Sequence, residues 1–349
     1  MPPFDPNSAA APGSGIFGLP FNEDESALVL FPVPWEATTS FGGGTAEGPA
    51  AILDASHQVD LAHARLVRPY EAGLFLRAES TDVRHAAEQA KEMASGVIEA
   101  GGAGDDPNLA EAAERVNALS EWMNGWVEGE AASIFAAGRI PGLVGGDHST
   151  PLGAWKAAAK ATGGFDLLQI DAHMDLRKAF EGFHYSHASI TYNGLEEIAA
   201  IRRCVQVGIR DFCDEERDYA EAHTGRVSVF YQWMLDNAAF AGEPWGAKAG
   251  RIVEQLGDNV WITFDIDGLD PALCPHTGTP VPGGLSFAQA VSLIEAVALS
   301  GRRIIGFDLN EVSPGPDGGA GWDANVGARV LWNLCCWTLH SQGKAALRG

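Results

Sequence analysis

Short apolar runs recur along the chain, separated by segments of helix length. The runs are Ser26–Val33, Ile140–Val144, Phe165–Ile170, Cys204–Ile209, Val227–Tyr231, Val260–Phe264 and Ile304–Leu309. The segments Pro151–Ala161 and Ser286–Ser300 are typical of the helices between them. Strands that alternate with helices predict βαβ units and a parallel sheet. Because the runs are almost continuously apolar, we expect helices to cover both faces of that sheet.

Other segments predict a long helix and an N-terminal arm. Apolar residues recur at three- and four-residue steps between about Asn108 and Ala137, which predicts an amphipathic helix. The first 20 residues are rich in Pro, Ala, Gly and Ser and predict an extended arm, disordered or draped over a neighbouring subunit. Without a repeat or a linker, we expect an arm over residues 1–24 and one domain over residues 25–349. The predicted fold class is α/β, a three-layer α/β/α domain with a mainly parallel, doubly wound sheet.

Composition and charge narrow the class of protein. The chain has 349 residues, is 46% hydrophobic and carries a net charge of −23, so it can bury a large core and repels nucleic acid phosphates. Its apolar runs fall short of the roughly 20 residues of a membrane span, and the first residues do not resemble a secretion signal. The five cysteines form no CxxC pair. These features predict a cytoplasmic enzyme with no nucleic acid or membrane partner.

Acidic residues and histidines directly follow four of the predicted strands. The segments are Gly-Gly-Asp-His-Ser at 145–149, Asp-Ala-His-Met-Asp at 171–175, Asp-Ile-Asp at 265–267 and Asn-Glu at 310–311. The carboxyl ends of parallel strands share one edge of a sheet, where ligands bind. The pattern therefore predicts one crevice that contains His148, Asp171, His173, Asp175, Asp265, Asp267 and Glu311.

This cluster favours bound cations. Carboxylates about 4 Å apart repel each other by several kcal/mol at an effective dielectric near 20, so either some are protonated or cations lie between them. Two imidazoles favour transition metals over Ca²⁺ or Mg²⁺. With Asp171 and Asp265 placed to bridge, the set suits two metal ions about 3.5–4 Å apart, which lower the pKa of a shared water for attack on an electron-poor carbon.

These segments resemble the ureohydrolase superfamily of arginases, agmatinases, formimidoylglutamases and guanidine hydrolases. Five motifs carry the resemblance in order, at 145–149, 171–175, 264–271, 277–284 and 308–312, and it covers roughly residues 25–340. It implies an arginase-like fold and metal-dependent hydrolysis of a C–N bond in a linear amidine. It also implies a homo-oligomer, a trimer or hexamer, or an assembly with a homologous second subunit.

The resemblance also implies roles for individual residues. One metal is expected to bind His148, Asp171, Asp175 and Asp265, and the other Asp171, His173, Asp265 and Asp267; both are expected to be Ni²⁺ or Mn²⁺. Asp175 is expected to orient the attacking water as well. Glu311 is expected to pair with the guanidinium group of the substrate. His187 is expected to pass a proton to the leaving amine, with a pKa near 7. The other histidines, including His276, are interpreted as ordinary structural residues.

Two segments resemble the guanidine hydrolase branch, which metformin hydrolase subunits also resemble. They are Pro-Trp-Glu-Ala-Thr-Thr-Ser at 34–40 and Trp-Asp-Ala-Asn-Val-Gly-Ala-Arg at 322–329. Trp35 and Trp322 are expected to form an aromatic wall over a compact cation, and Thr38 or Thr39 to form a hydrogen bond with it. Leu176 and Arg177 stand where arginases have an Asn and a Ser for the amino-acid head of arginine, which disfavours arginine.

The sequence leaves three functions open. The first is hydrolysis of guanidine or an N-methylated guanidine or biguanide such as metformin, giving urea or a urea-like product and ammonia or an amine. The alternative is an agmatinase, which converts agmatine to putrescine and urea. A supporting subunit of a hetero-oligomeric hydrolase is less favoured, because such a subunit is expected to lose ligands and this chain retains the full set.

Overall fold

The computed structural model describes residues 4–11, 13–316 and 318–349. Within those residues, eight parallel strands form one sheet in the order β3-β1-β4-β9-β8-β5-β6-β7, and β2 and β10 form a separate antiparallel pair. The strands are β1 Leu28–Val33, β2 Leu66–Val67, β3 Leu74–Leu76, β4 Ile140–Gly145, β5 Phe165–Ile170, β6 Ile201–Ile209, β7 Val227–Tyr231, β8 Asn259–Asp265, β9 Arg303–Asn310 and β10 Ala346–Leu347.

Helices cover both faces of the main sheet. They are α1 Gly48–Ser56, α2 Thr81–Glu99, α3 Pro107–Ala136, α4 Leu152–Thr162, α5 Ile190–Glu197, α6 Asp214–Ala222, α7 Gln232–Phe240, α8 Trp245–Glu254, α9 Phe287–Leu299 and α10 Trp322–Ser341. One apolar cluster joins the sheet to α1 and α8–α10, and a second joins it to α2–α6. The predicted three-layer, parallel α/β fold is therefore confirmed.

The central strands of the main sheet are mostly apolar because each contributes to both clusters. In β1, Leu28 and Leu30 belong to the first cluster, whereas Val29, Phe31 and Val33 belong to the second. Successive side chains of a strand point to opposite faces, so a strand buried on both sides has no polar face.

The arm expected over residues 1–24 is partly wrong, since its second half packs on the chain itself. Ile16, Phe17 and Leu19 are at most 3% exposed and belong to the first apolar cluster. The backbone N–H of Phe17 donates to Ser56 Oγ in α1 at 2.9 Å, and its ring meets Trp332 of α10 edge-on. Apolar burial on α1 and α10 outweighs the local preference of this segment for extended chain. The part of the expectation that concerns residues 1–3 and 12 lies outside the described residues.

The long helix predicted near Asn108–Ala137 is confirmed as α3, but Trp122, which belongs to its repeat of apolar residues, is not buried. Trp122 is 44% exposed, while Met123 and Val127 are buried instead. In the described ranges, no helix is long and apolar enough to cross a bilayer.

The order of the strands decides where the chemistry lies. The four central strands, β4, β9, β8 and β5, are neighbours in the sheet although they are far apart in sequence. Each of these four strands ends in, or is directly followed by, a segment that contains acidic residues or histidines. Because all four are parallel, their carboxyl ends meet in one crevice where the strand order reverses.

Candidate metal centre

Two groups of potential metal ligands lie in this crevice and share one carboxylate. His148, Asp171 and Asp265 form the first group, and Asp171, His173 and Asp267 form the second. Four of the five residues are at most 3% exposed. The sheet therefore brings these predicted ligands together at its carboxyl edge.

The first group surrounds Nδ1 of His148. This atom lies 3.0 Å from Asp171 Oδ2, 3.1 Å from Asp175 Oδ2 and 3.2 Å from Asp265 Oδ2. In the second group, Nδ1 of His173 lies 3.0 Å from Asp267 Oδ2 and 3.7 Å from Asp171 Oδ1. Asp171 thus turns one oxygen towards each imidazole, as expected of a bridging ligand.

Asp265, the other expected bridge, is placed differently. Its Oδ2 faces His148, but its Oδ1 accepts the backbone N–H of Asp267 at 2.8 Å. Asp267 likewise uses Oδ1 to accept the N–H of Ala172 at 3.0 Å and turns Oδ2 towards His173. These backbone contacts leave one oxygen of each aspartate directed at an imidazole.

A pair of divalent metal ions fits these side chains. Nδ1 of His148 is buried and makes no aligned hydrogen bond, although three carboxylate oxygens surround it. One imidazole proton cannot satisfy three acceptors, whereas a cation binds all four atoms at once. Ligand atoms about 3 Å apart are also the spacing of an octahedral set around a small divalent cation. The imidazole nitrogens favour a transition metal within that class.

The electrostatics of the protein chain alone show the same need for positive charge. Burial and the charges of Asp267 and Asp171 raise the pKa of Asp265 well above its usual value. Burial and Asp171 raise the pKa of Asp175 to about 7. Burial lowers the pKa of His148, but Asp171, Asp175 and Asp265 outweigh it and raise that pKa well above the usual range. Without ions, the cluster must retain protons to offset its charge.

A buried network that the sequence did not indicate supports His148 from behind. Nε2 of His148 lies 2.8 Å from Thr263 Oγ1, which donates to Asp308 Oδ1 at 2.6 Å. Asp308 also accepts hydrogen bonds from the indoles of Trp155 and Trp261 and from Asn310. Thr263 and Asp308 lie inside β8 and β9, so only the alignment of the two strands identifies the contact.

Gln169 plays a similar part for Asp171. Its Nε2 donates to Asp171 Oδ2 at 2.9 Å, and its Oε1 accepts from Thr191 and Gln206. Gln206 in turn donates to the carbonyl of Met174. A polar residue within an apolar strand was the available signal for Gln169.

Two of the predicted catalytic residues have left-handed backbone conformations. Asp175 has φ 55° and Glu311 has φ 64°. Such conformations cost a non-glycine residue about 1–3 kcal/mol and persist where the surrounding structure enforces them. The N–H of Glu311 donates to Gly146 O at 2.7 Å, and the carbonyl of Asp175 accepts from Tyr192 at 3.0 Å.

The carboxylate of Glu311 has one oxygen without a partner. Oε1 accepts the backbone N–H of His148 at 2.8 Å, whereas Oε2 is buried and makes no hydrogen bond. Gly278 lies beside Oε2, where an added Cβ would come within 2.9 Å of it and 3.2 Å from Thr39 Cγ2. Thr39 Oγ1 is also buried without a partner. Two unsatisfied polar atoms therefore flank a space that the lack of a side chain at Gly278 keeps open.

Two of the predicted site residues, His187 and Thr38, lie close together in the structure. Nδ1 of His187 lies 3.3 Å from Thr38 Oγ1 and 3.4 Å from Ser186 Oγ. Burial, with smaller effects of His173 and His148, lowers the pKa of His187 to about 4. The expected pKa near 7 is therefore wrong for this state of the protein, in which the ring is neutral.

The two tryptophans expected to form one aromatic wall lie in different surroundings. Trp35 is fully buried within the apolar cluster under α2–α4. Trp322 is 56% exposed at the start of α10, and its indole donates to the carbonyl of Ala272 at 3.0 Å. A shared wall over the substrate is not formed, because core packing holds one ring and a loop contact holds the other.

An all-parallel α/β/α sheet with paired carboxylate–imidazole sites at its carboxyl edge defines a class of metal-dependent hydrolase. Residues 26–336 match the sequence profile of the Arginase family, and the chain belongs to that family. The predicted membership of the ureohydrolase superfamily is thereby confirmed, and with it the enzyme class: a hydrolase that acts on C–N bonds of linear amidines.

Individual relatives differ in the guanidino compound that their names specify. The N(1)-aminopropylagmatine ureohydrolase of Thermus thermophilus is 34% identical over 292 residues, which cover 83% of this chain and 84% of that protein. The guanidinopropionase of Pseudomonas aeruginosa is 29% identical, covering 94% and 92%. The structure of proclavaminate amidino hydrolase from Streptomyces clavuligerus has a TM-score of 0.72 at 23% identity, covering 96% of this chain and 99% of that one.

Proposed function

We propose that this protein hydrolyses an alkylguanidine that carries an amine, of the agmatine or aminopropylagmatine class, to urea and the free amine. The observation that carries the proposal is the buried, unpartnered Oε2 of Glu311 beside the paired metal-ligand groups. A guanidinium cation supplies the donor that this oxygen lacks. This proposal corresponds to the agmatinase alternative rather than to the guanidine or metformin hydrolase that the sequence favoured.

The protein side chains have separate tasks in this scheme. Two metal ions, when bound, would lower the pKa of a shared water molecule. The residues that would hold these ions are His148, Asp171, His173, Asp175, Asp265 and Asp267. Glu311 orients the guanidinium through Oε2, since its Oε1 is already engaged by the N–H of His148. His187 is held by the hydroxyls of Thr38 and Ser186 through Nδ1. Its neutral ring is then free to take up, at Nε2, the proton that the attacking water loses and to pass that proton to the leaving nitrogen.

The charges around the centre support an amine tail over a carboxylate tail. Arg210 donates to the backbone carbonyls of Gly208, Asp267, Leu269 and Val281. Lys91 pairs with the buried Glu36, and Arg177 lies over the ring of Phe180 at 4.9 Å. These cations are already engaged within the protein. A net charge of −23 also favours the approach of a dication.

Similarity among relatives adds support for this class. The aminopropylagmatine ureohydrolase is more similar to this chain than the guanidinopropionase, at 34% against 29% identity. Guanidine or a methylated derivative is the second candidate, because two unpartnered polar atoms, Thr39 Oγ1 and Glu311 Oε2, belong to residues that border Gly278 and could bind a compact cation. The assembly into trimers or hexamers and the choice between Ni²⁺ and Mn²⁺ stay predictions.

A substrate panel tests the proposal. Metal-free protein is reconstituted separately with Mn²⁺ and Ni²⁺. Release of urea or a urea-like product, and of ammonia or an amine, is then measured for agmatine, aminopropylagmatine, guanidine, dimethylbiguanide and guanidinopropionate. We expect the highest kcat/KM for one of the two amine-bearing compounds, and no turnover after chelation. A higher kcat/KM for guanidine or dimethylbiguanide would replace the proposal with the second candidate. Glu311→Gln serves as the inactive control.

A further inference from the structure

Asp323, at the start of α10, holds the loop formed by residues 272–278. Its carboxylate is 1% exposed; Oδ1 accepts the backbone N–H of His276 at 2.9 Å, and Oδ2 lies 2.9 Å from Nδ1 of the same histidine. The neighbouring Trp322 donates its indole N–H to the carbonyl of Ala272. Two consecutive residues of α10 thus hold both ends of one loop.

The ring of His276 also packs closely on the chain that follows Glu311. An added Cβ on Gly315, where φ is 77°, would come within 2.8 Å of that ring. Only glycine adopts this backbone conformation readily and also lets the ring approach so closely. His276, expected to be an ordinary structural histidine, therefore joins three segments: its own loop, the chain after β9, and α10.

The other end of the same loop meets the proposed guanidinium pocket. Thr277 Oγ1 donates to the carbonyl of Glu311 at 2.9 Å. The next residue, Gly278, borders both Glu311 Oε2 and Thr39. An added Cβ on Gly42 would lie 2.6 Å from the carbonyl oxygen of Gly278, so the loop with three consecutive glycines at 42–44 packs directly against Gly278. The position of Thr277 and Gly278 therefore sets the width of the space beside Glu311.

We propose that Asp323 is a positioning residue for guanidinium binding: through His276, it holds Thr277 and Gly278 at the distance from Glu311 that a guanidinium group requires. This inference rests on the proposed function of the pocket. Asp323 contacts neither the metal ligands nor the pocket. Its effect therefore falls on substrate binding, and the metal sites do not depend on it.

Asp323 could instead act only by stabilising helix α10, and a control variant distinguishes that role from the positioning of the loop. Asp323 is the second residue of α10, where a carboxylate also interacts favourably with the helix dipole, by about 0.3–1 kcal/mol. Asp82 is the second residue of α2 and is exposed. Asp82→Ala therefore removes a carboxylate from the same helix position without releasing a loop, and it is the matched control.

The test compares wild type, Asp323→Ala, Asp323→Asn, His276→Ala and Asp82→Ala in the full-length, metal-loaded protein. Asn retains an oxygen for the N–H of His276 and offers an amide to its ring, whereas Ala removes both contacts. We measure kcat and KM for the substrate that wild type prefers, the metal content per chain, and hydrogen exchange of the peptides that cover 272–284 and 36–46.

We expect Asp323→Ala to raise KM about tenfold with little change in kcat or metal content, and to speed exchange in both peptides. Asp323→Asn should restore KM, His276→Ala should fall between them, and Asp82→Ala should match wild type. The inference is overturned if KM is unchanged in Asp323→Ala, or if KM, kcat and metal content deteriorate together. If the proposed function is wrong, the wild-type protein is inactive on the substrate panel. The inference is then tested by hydrogen exchange alone, and it is overturned if Asp323→Ala leaves the exchange rates of peptide 272–284 unchanged.

Discussion

The hydroxyl of Thr263 lies 2.8 Å from Nε2 of His148 and donates its single proton to Asp308. A hydroxyl that has given its proton to a carboxylate can only accept from the imidazole. Nε2 of His148 therefore carries a proton, so Nδ1, which faces the carboxylates of Asp171, Asp175 and Asp265, is the nitrogen that would bind a metal. The tautomer that a metal requires is set by a threonine and an aspartate outside the ligand set.

Removing the hydroxyl of Thr263 should weaken the metal site that His148 serves. We expect Thr263→Val to lower metal affinity by about 10–100-fold, because the imidazole loses its orientation and its preferred tautomer. Calorimetric titration of the metal-free protein with Mn²⁺ measures the change in metal affinity. Thr338→Val is the matched control, since Thr338 is fully buried in α10 and its hydroxyl has no partner. Equal affinities for both variants would show that the network does not act on His148.

Replacing the carboxylate shared by both metal-ligand groups should release more metal ions than replacing a carboxylate that belongs to one group. We expect Asp171→Asn to lose both ions, because its two oxygens face different imidazoles. Asp267→Asn should retain an ion at His148, since Asp267 belongs only to the second group. Metal content per chain after dialysis distinguishes them. Asp270→Asn, which changes a carboxylate that accepts the N–H of Ala272, should retain both ions. One remaining ion in Asp171→Asn would contradict the bridging role.

A methyl group at Gly278 should obstruct the substrate without affecting the metals. An added Cβ would lie 2.9 Å from Glu311 Oε2, so we expect Gly278→Ala to raise KM by about tenfold or more. Steady-state kinetics and metal content measure the effect. Gly125→Ala in α3 is the control, because a Cβ there meets nothing within 4 Å. Unchanged KM for Gly278→Ala would place the substrate elsewhere.

His63 should make the protein less stable in mild acid. Its Nδ1 accepts the backbone N–H groups of Arg65 and Leu66, and burial lowers its pKa below the usual value. The unfolded chain therefore binds more protons than the folded one just below the usual pKa, so stability falls as the pH falls from about 7 to about 5. Asparagine offers the same N–H groups an oxygen that does not titrate.

The thermal midpoint of His63→Asn should consequently depend less on pH than that of wild type across this interval. His85→Asn is the control, because the side chain of His85 is 71% exposed, and it should follow the wild-type curve. Parallel curves for all three proteins would show that His63 does not contribute to the acid sensitivity.

The sequence by itself determined the fold class and predicted the metal ligands. Strands buried on both faces are mostly apolar, and this pattern is visible without knowledge of which strands are neighbours. The ligands follow strand ends in contiguous motifs such as 171–175, so their shared edge follows from the parallel sheet alone. Cys335 and Cys336, whose neighbours in the sequence include Val330, Leu331 and Leu334, are likewise fully buried in α10.

Only the tertiary structure decided what supports those ligands and what surrounds the substrate. Thr263 meets His148 because β4 and β8 lie on either side of β9 in the sheet, and Asp323 meets His276 across 47 positions of chain. Trp35 and Trp322 looked alike as aromatic residues near motifs, yet packing buried one and left the other half exposed. Local patterns specify which face of an element is buried, whereas contacts between distant segments depend on how the whole sheet aligns. The sequence therefore predicted the ligands, and the three-dimensional arrangement revealed the residues that support them.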